Sequence, residues 1–362
     1  MANVDEGIRS LEPAGNLFQE TGTPVPTGAV PPRKASRVLG LFVGGGMGLY
    51  VLRRLLLAIP ILLLLSLCVF TLTSLVPGGP VAAYLHGHAT DEAEIRAVTA
   101  KFHLNDSFIV QYLLWLKGVI HLNLGRSLDT GQPVIQEIRQ RIGLTVTLNV
   151  ASFIASTAIG VPLGIVAAFR QGGRADRMAV GLSIFVSNAP AFVVGLVFLY
   201  VFSDAVHVFP QFGIGSGFLS YADHLVLPVA VMTLGGLGFL TKMTRATLLD
   251  TINQDFVTFA RCRGLSERRI MTHYILRNAL IPLLSVLGLI VIGFLAGTVF
   301  VEDVFGLPGL GQLFVTAVTT TDIPVIQALV LMTAVWIIVV NIGIDVLYAV
   351  VDPRVAFEGR RK

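Results

Sequence analysis

Charged side chains are scarce in this sequence of 362 residues. Asp, Glu, Lys and Arg together make up only 13% of it, whereas 54% of the residues are hydrophobic. The mean hydropathy is +0.77. A soluble domain carries roughly 25% charged residues. The deficit excludes an ordinary soluble protein, because so much apolar surface must face something other than water.

Cysteine and recognisable catalytic patterns are also nearly absent. Cys68 and Cys262 are the only two cysteines, which excludes a disulfide framework, and neither has the spacing of a metal ligand. His86 and His88 offer too few ligands for a metal site. The sequence contains no GxxxxGK[ST] pattern, so we expect no ATP in a P-loop of this chain. It also has no Ser/His/Asp or HExxH arrangement, so we expect no enzyme activity and no bound cofactor.

Long apolar runs account for the composition. A helix needs about 20 apolar residues to cross a bilayer, and runs of this length in lipid are helices because their backbone groups must be satisfied internally. The sequence predicts six spans, at about 49–75, 143–169, 178–203, 225–248, 279–300 and 324–351. The predicted fold class is therefore all-α, a polytopic membrane protein with six transmembrane helices.

The other segments differ in character from the spans. Residues 1–46 are rich in Gly, Pro, Ser and Thr and predict a disordered tail, since they cannot bury enough apolar area. One transmembrane domain is predicted over 47–356, followed by a short tail at 357–362. Its segment 76–142 predicts two helices outside the bundle, one starting at Thr90 and one amphipathic helix over 107–122.

The positive charges predict the orientation of the spans. With the N-terminus inside, 20 of the 26 Lys and Arg residues lie in cytoplasmic segments, and the loops 204–224 and 301–323 contain none. The opposite orientation would place the basic loops outside, against the positive-inside rule. Both termini are therefore predicted to be cytoplasmic. The net charge of +4 is modest and gives no reason to expect nucleic acid as a partner.

The basic loop between the fourth and fifth predicted spans, at about 250–278, is the most informative segment. Its first part predicts a short helix. Four residues, Ile252, Phe256, Phe259 and Ala260, form its apolar face, and Gln254, Asp255 and Arg261 are polar. Gly264 stands where a left-handed residue ends a helix, and Ser266 with Glu267 predicts the start of a second helix.

Two interpretations of this loop remain at this point. It is either a solvated linker or a rigid docking element for a cytoplasmic partner. The apolar face favours docking, because a free loop has no reason to expose phenylalanines.

The same loop resembles the "EAA" coupling loop of ABC-importer permeases. Thr258-Phe259-Ala260 stands at the Glu-Ala-Ala positions, Gly264 at the glycine and Pro282 at the proline. The stretches ARCRGLSERR and LRNALIP resemble the dipeptide/oligopeptide (nickel) permease B-type branch, in which both the altered leading letters and the longer Gly-to-Pro gap are usual. Similar stretches lie at 50–80, 111–134, 301–314 and 351–355, so the resemblance covers about 48–356.

The resemblance implies an ABC type I importer permease in the bacterial cytoplasmic (inner) membrane. It implies a second homologous permease subunit, two P-loop ATPase subunits that hold ATP and Mg, an external solute-binding protein, a peptide substrate and surrounding lipid. It also implies that the loop couples the chain to the ATPases. The expected coupling residues are Asp255, Phe256, Phe259, Ala260, Arg261, Gly264 and Ser266.

A few polar or loop residues are candidates for a gate or pathway. VFGLPGLG predicts either a loop that caps or re-enters the bundle or an ordinary tight turn, with Pro308 stiffening it and Gly309 allowing close backbone approach. Glu302 precedes this loop, and Asn188 lies in the third predicted span. Asp345 in the sixth span is either the partner of a basic residue on a neighbouring helix or a gating group.

Alternatives remain open for cargo and for energy source. Nickel and glutathione importers share the same branch, although a path with few charges suits varied peptides better than one small ion. An ion-coupled secondary transporter should show buried charged groups at mid-bilayer and inverted repeats, and neither is clear in the sequence. A membrane-embedded enzyme or assembly factor should show a polar catalytic cluster.

Overall fold

The computed structural model describes residues 46–75, 96, 99–100 and 105–351, and these are almost entirely helical. The helices are α1 (Gly46–Leu75), α2 (Phe108–Ile120), α3 (Val134–Phe169), α4 (Arg174–Asn188), α5 (Ala191–Phe198), α6 (Phe218–Ile252), α7 (Asp255–Cys262), α8 (Glu267–Val304), α9 (Leu310–Thr319) and α10 (Ile323–Val351). A π-helical segment, Leu199–Ala205, continues α5, and another, Ile270–Ile275, lies inside α8. In the described part of the chain the sole β-type pairing is an isolated bridge between Arg126 and Pro133.

Five helices, α1, α3, α6, α8 and α10, are long and apolar enough to cross a membrane. The helix α4 and the segment Ala191–Ala205 pass the same test only as a bent pair, so the described residues contain five spans, or six where this pair counts as one span. The predicted all-α, multi-span fold is therefore confirmed. The predicted tails and the predicted helix starting at Thr90 lie almost wholly outside the described residues.

The third span differs from the prediction of one helix over 178–203. Its two halves, α4 and the segment Ala191–Ala205, are bent by 96° at the break between them. Pro190 causes the break, because proline has no backbone N–H and disfavours helical geometry at the preceding residue, Ala189. Ala189 accordingly has extended backbone, with ψ of 122°. The third predicted span is therefore a bent pair of helical segments, with the geometry of a broken span or of a re-entrant loop.

Other spans are also longer than predicted, as the second and fourth show. The second was expected at 143–169, but α3 begins at Val134 and has 36 residues, which makes it about 54 Å long. The fourth was expected at 225–248, and α6 runs from Phe218 to Ile252. The added turns carry charged side chains, so hydropathy alone did not include them.

The helix α6 is the centre of the bundle. Its most apolar window is 61% buried, compared with 22–39% for the other four continuous spans. It packs closely against α3, because Gly160 and Gly164 let the two backbones approach, and the Thr241 hydroxyl donates a 3.2 Å hydrogen bond to the Gly160 carbonyl. Small residues serve this purpose at helix contacts in membranes.

Separate apolar clusters close the two ends of the bundle. One contains Val134 and Ile138 from the start of α3 together with Leu310 of α9. The other contains Ala168 from the end of α3 together with Val257 of α7. Because α3 spans the distance between the clusters, the loop 253–266 and the loop 305–309 lie at opposite ends of the molecule.

The predicted helix over 107–122 is present as α2 and packs against α1. The Ser66 and Tyr112 hydroxyls are 2.8 Å apart and share a hydrogen bond. The ring of Phe70 contacts Phe108 and Trp115, each with ring centroids 5.4 Å apart. These contacts hold α2 at the periphery of the bundle.

Candidate functional site

The short helix α7 and the turn after it form a compact projection at one end of the bundle. Asp255 lies in its first turn. Gly264 ends it with a φ of +70°, and the amide of Leu265 donates to the Ala260 carbonyl at 3.3 Å across the turn. The prediction of a helix followed by a left-handed glycine is therefore confirmed.

The apolar face of α7 points mainly into the chain itself. Val257 is fully buried and Ala260 is 3% exposed, and both pack with Leu248 of α6. Phe256 is partly buried against the same cluster. The expectation that Ala260 is available to a partner is therefore wrong, because the side chain is already covered by this chain. Phe259 lies on the other side of α7 and is 69% exposed.

The polar residues around the turn stabilise it internally. Arg261 forms a 2.9 Å ion pair with Glu267 across the glycine, and both side chains remain largely exposed. Ser266 occupies the N-cap position of α8, as predicted, but its hydroxyl makes no capping hydrogen bond. The predicted second helix is the first part of α8, so it leads directly into the fifth span.

A cleft of about 310 Å³ lies beside α7. It is lined by Thr247, Asp250, Thr251, Gln254, Phe256, Asn278 and Pro282. These residues come from the end of α6, from α7 and from α8, so the cleft marks where the three elements meet.

Glu302 is the centre of a buried network at the opposite end. It is 0% exposed and accepts hydrogen bonds from the Thr145 hydroxyl at 2.6 Å and from the Gly311 amide at 2.6 Å. The amide of Gln312 adds a bond of 3.2 Å. These amides belong to the first turn of α9, where orphan N–H groups and the helix dipole favour a carboxylate. Glu302 therefore fixes the start of α9.

Gly309 and Gly311 lie where a larger side chain has no space. A Cβ on Gly309 would lie 2.2 Å from the Glu302 carboxylate, and one on Gly311 would lie 2.5 Å from the Val299 Cα. The predicted close approach at Gly309 is confirmed. Pro308 lies in the same tight turn, which caps the bundle between α8 and α9.

Asp345 and Asn188 contact neither the α7 projection nor the Glu302 network. Asp345 forms a 3.1 Å ion pair with Arg54 of α1, which agrees with the predicted basic partner on a neighbouring helix. Asn188 is the last residue of α4, at the break in the third span, and its side-chain amide donates to the Ile184 carbonyl at 2.6 Å. The structure therefore separates the candidate gate residues into three places.

One partly buried ion pair is absent from the expectations drawn from the sequence. Asp176 of α4 contacts Arg245 of α6 through two hydrogen bonds, of 2.5 and 2.9 Å. The two residues are 69 positions apart, so no local pattern could pair them. The one sequence feature that could have indicated this pair is Asp176, the single acidic residue in the basic segment 170–177.

The described residues offer docking surfaces and closely packed helices. Within the described residues no group of three or more His, Cys, Asp and Glu side chains could hold a metal ion. Phe259 of α7 is exposed at one end of the bundle, whereas the 305–309 turn at the other end is packed into the bundle, with Phe305 and Leu307 buried.

Two family models match the chain. Residues 160–357 match the family described as "Binding-protein-dependent transport system inner membrane component". Residues 47–149 match the N-terminal part of a membrane component of binding-protein-dependent transport systems. Together they cover both the bundle and the segment that contains α1 and α2.

Curated relatives are similar over most of this chain. The "Probable peptide ABC transporter permease protein y4tP" of Sinorhizobium fredii is 32% identical over 86% of this chain and 100% of its own length. The "Oligopeptide transport system permease protein AppB" of Bacillus subtilis is 34% identical over 86% and 100%. A putative peptide permease protein of Brucella ovis is 36% identical over 84% and 98%.

A solved structure shares the fold. A chain of the MetNI methionine ABC transporter, solved in inward-facing conformations, superposes with a TM-score of 0.50 at 15% identity, covering 61% of this chain and 98% of that chain. At this identity the likeness concerns the fold alone. The family matches and the full-length relatives decide the family: this chain belongs to the binding-protein-dependent transport system inner membrane components and is a multi-pass ABC transporter permease.

Proposed function

We propose that this chain forms half of the translocation pathway of an ATP-driven peptide importer. It pairs with a second, homologous permease subunit in the bacterial inner membrane, with both termini in the cytoplasm. Two ATPase subunits bind ATP and Mg and dock on the α7 side, and an external solute-binding protein delivers the cargo. The chain itself binds no nucleotide, and lipid surrounds its apolar faces.

The exposed ring of Phe259 is the observation that carries this proposal. Val257 and Ala260 of α7 are buried and Phe256 is partly buried, whereas Phe259 is 69% exposed at the end of the bundle opposite the Glu302 network. A partner that covers this ring removes apolar surface from water, which is favourable. Because α7 is packed on α6 and α8, a force applied at Phe259 moves those spans as a rigid body.

Peptides are the proposed cargo. The relatives of Sinorhizobium fredii and Bacillus subtilis are named as peptide and oligopeptide permeases and are matched over their whole length. That agreement favours peptides over nickel or glutathione. The proposed coupling residues are Phe259, Phe256, Asp255, Arg261, Gly264 and Ser266, with Ala260 supporting α7 from inside the chain.

Co-purification tests the docking role. The partner ATPases are expressed with this chain carrying Phe259→Ala, and their recovery in the complex is measured. Large apolar anchors at interface centres cost about 2–4 kcal/mol when truncated, so affinity should fall roughly 30-fold or more. The matched control is Phe218→Ala, which removes a ring that is 84% exposed at the other end. Equal ATPase recovery for the two variants would refute docking at Phe259.

A further inference from the structure

A cavity of about 500 Å³ lies between α1, α3, α8, α9 and α10. Its volume is within the range of about 300–1,000 Å³ that is usual for small-molecule sites. The lining contains three threonines, and every other lining residue is apolar or glycine. Its walls include Leu65, Leu295, Ala296, Leu310, Met332 and Ala334.

The threonine hydroxyls in the walls already donate their hydrogens within the protein. Thr145 donates to Glu302 at 2.6 Å. Thr298 and Thr333 each donate to the backbone carbonyl one turn earlier in their own helix, at 2.6 and 2.9 Å. A peptide backbone in this cavity would exchange its hydrogen bonds with water for none of these hydrogens, which is costly. The walls therefore suit a ligand without hydrogen-bonding groups.

Physical chemistry also favours an occupied cavity over an empty one. A cavity with apolar walls stays free of water. Without an occupant its lining atoms lack van der Waals partners on one side, and folded proteins leave few voids larger than a water molecule. An apolar occupant restores these contacts.

The cavity adjoins the exposed apolar surface of the spans. Leu65 belongs to α1, whose most apolar window is 22% buried, and its neighbour Leu64 is 66% exposed. A second cavity of about 170 Å³ shares Leu295 with the first and extends to Trp336 and Val339 of α10, which are 40% and 53% exposed. In a multi-pass membrane protein, hydrocarbon is the solvent of such surfaces.

The outer wall of the cavity is fixed at both ends. At one end Arg54 of α1 forms a 3.1 Å ion pair with Asp345 of α10. At the other end the side-chain amide of Gln327 donates to the Val69 carbonyl at 3.4 Å. Leu65 lies between these two contacts along α1. The space beside it is therefore enclosed by helices that are attached to each other.

We propose that one acyl chain of a membrane phospholipid fills this cavity and supports the Glu302 network. Thr145, Leu310 and Gly311 line the cavity. The same three residues join Glu302 to the first turn of α9, so the acyl chain packs against the groups that hold α9. The site requires only that the chain spans a membrane. The proposed orientation adds that the phospholipid belongs to the outer leaflet, and that point alone rests on the proposed function.

Photo-crosslinking from the acyl chain tests the site. The full-length chain, with any subunits that co-purify, is reconstituted in vesicles of phosphatidylethanolamine and phosphatidylglycerol. Part of the phosphatidylethanolamine carries a diazirine in its acyl chain, and adducts are mapped by mass spectrometry after illumination. We expect adducts at Leu310 and Leu329, which line the cavity and are 8% and 3% exposed. We also expect adducts at Leu64, which any surrounding lipid can reach.

Two substitutions fill the cavity from different walls. Ala334→Phe adds a ring from α10, and Ala296→Phe adds one from α8. Each should lose the adducts at the two buried leucines and keep the adduct at Leu64. Gly343→Phe is the matched control on α10, because a Cβ there meets nothing within 4 Å and the residue does not line the cavity. It should keep all three adducts.

Thermal unfolding gives a second readout that does not depend on crosslinking. Phospholipid added to the delipidated chain in detergent should raise the unfolding temperature, and the two cavity-filling variants should lose most of that rise. Gly343→Phe should respond as the unmodified chain does.

Two results would overturn the lipid site. One is labelling of Leu64 without labelling of the buried leucines in the unmodified chain. The other is loss of the buried adducts when an oligopeptide mixture is added, because the cavity would then hold cargo. Neither result decides whether uptake requires ATP, so the proposed function is tested separately.

Discussion

The hydroxyl of Thr145 donates a 2.6 Å hydrogen bond to Glu302, although the two residues lie on different spans and 157 positions apart. The same hydroxyl accepts a 2.9 Å hydrogen bond from the amide of Leu310. Thr145 and Glu302 therefore bind the first turn of α9 together. The capped end of the bundle depends on this contact between α3, α8 and α9.

Loss of the Glu302 carboxylate should destabilise this end strongly. Glu302→Ala leaves the Gly311 and Gln312 amides and the Thr145 hydroxyl without their acceptor, and each unsatisfied buried donor costs about 1–3 kcal/mol. We expect a clear fall in the thermal unfolding temperature of the purified protein in detergent. Asp303→Ala, at an exposed neighbour, should leave it nearly unchanged. Equal melting of the two variants would contradict the structural role of Glu302.

Close packing of α3 on α6 predicts a second stability effect. A Cβ on Gly164 would lie 2.6 Å from the Thr244 Cβ and 2.8 Å from the Thr241 carbonyl oxygen, whereas one on Gly143 of the same helix meets nothing within 4 Å. Overpacking costs about 1–3 kcal/mol. Gly164→Val should therefore lower the unfolding temperature and the yield of folded protein, and Gly143→Val should not. Similar losses in both would show that α3 and α6 are not in close contact there.

The turn at Gly264 should be sensitive to backbone conformation alone. Its φ is +70° and a Cβ there would meet nothing within 4 Å, so substitution produces strain without a clash. Left-handed geometry costs an ordinary residue about 1–2 kcal/mol and is better tolerated by Asn. Transport should therefore decrease in the order Gly264→Asn, Gly264→Ala, Gly264→Val at equal membrane level. Full transport by Gly264→Val would remove the coupling role of this turn.

The orientation of the spans can be tested with a membrane-impermeant thiol reagent. In a chain without Cys68 and Cys262, single cysteines are placed at the exposed residues Asp106, Ser216 and Ser266. The positive-inside rule predicts that Asp106 and Ser216 react in intact cells and Ser266 only after permeabilisation. Reaction at Ser266 from outside would reverse the assigned topology.

The apolar runs of the sequence predicted most of the spans. They could not predict which prolines would bend or end a helix. Pro162 and Pro228 lie inside helices that continue through them, whereas Pro190 ends α4 and bends the third span. Neighbouring helices decide which freed carbonyl groups are satisfied, and that information is tertiary. The bend within the span predicted over 178–203 was therefore not foreseen from the sequence.

The candidate site was predictable where a signal was local. The left-handed turn at Gly264 and the close approach at Gly309 follow from residue type and spacing. The burial of Ala260 depends on Leu248 of another helix, and the Asp176–Arg245 pair joins residues 69 positions apart. Contacts between distant segments leave no mark in a local pattern, so the sequence assigned Ala260 to a partner and did not pair Asp176.

The most direct test of the central claim is uptake by membrane vesicles that contain the whole complex. An oligopeptide mixture is offered with the solute-binding protein on the side opposite α7, and imported peptides are measured by mass spectrometry. ATP is supplied only on the α7 side, and ion gradients are collapsed in a parallel sample. Uptake should require ATP, persist without an ion gradient and fall with Phe259→Ala. Uptake driven by an ion gradient without ATP, and unaffected by Phe259→Ala, would contradict the account.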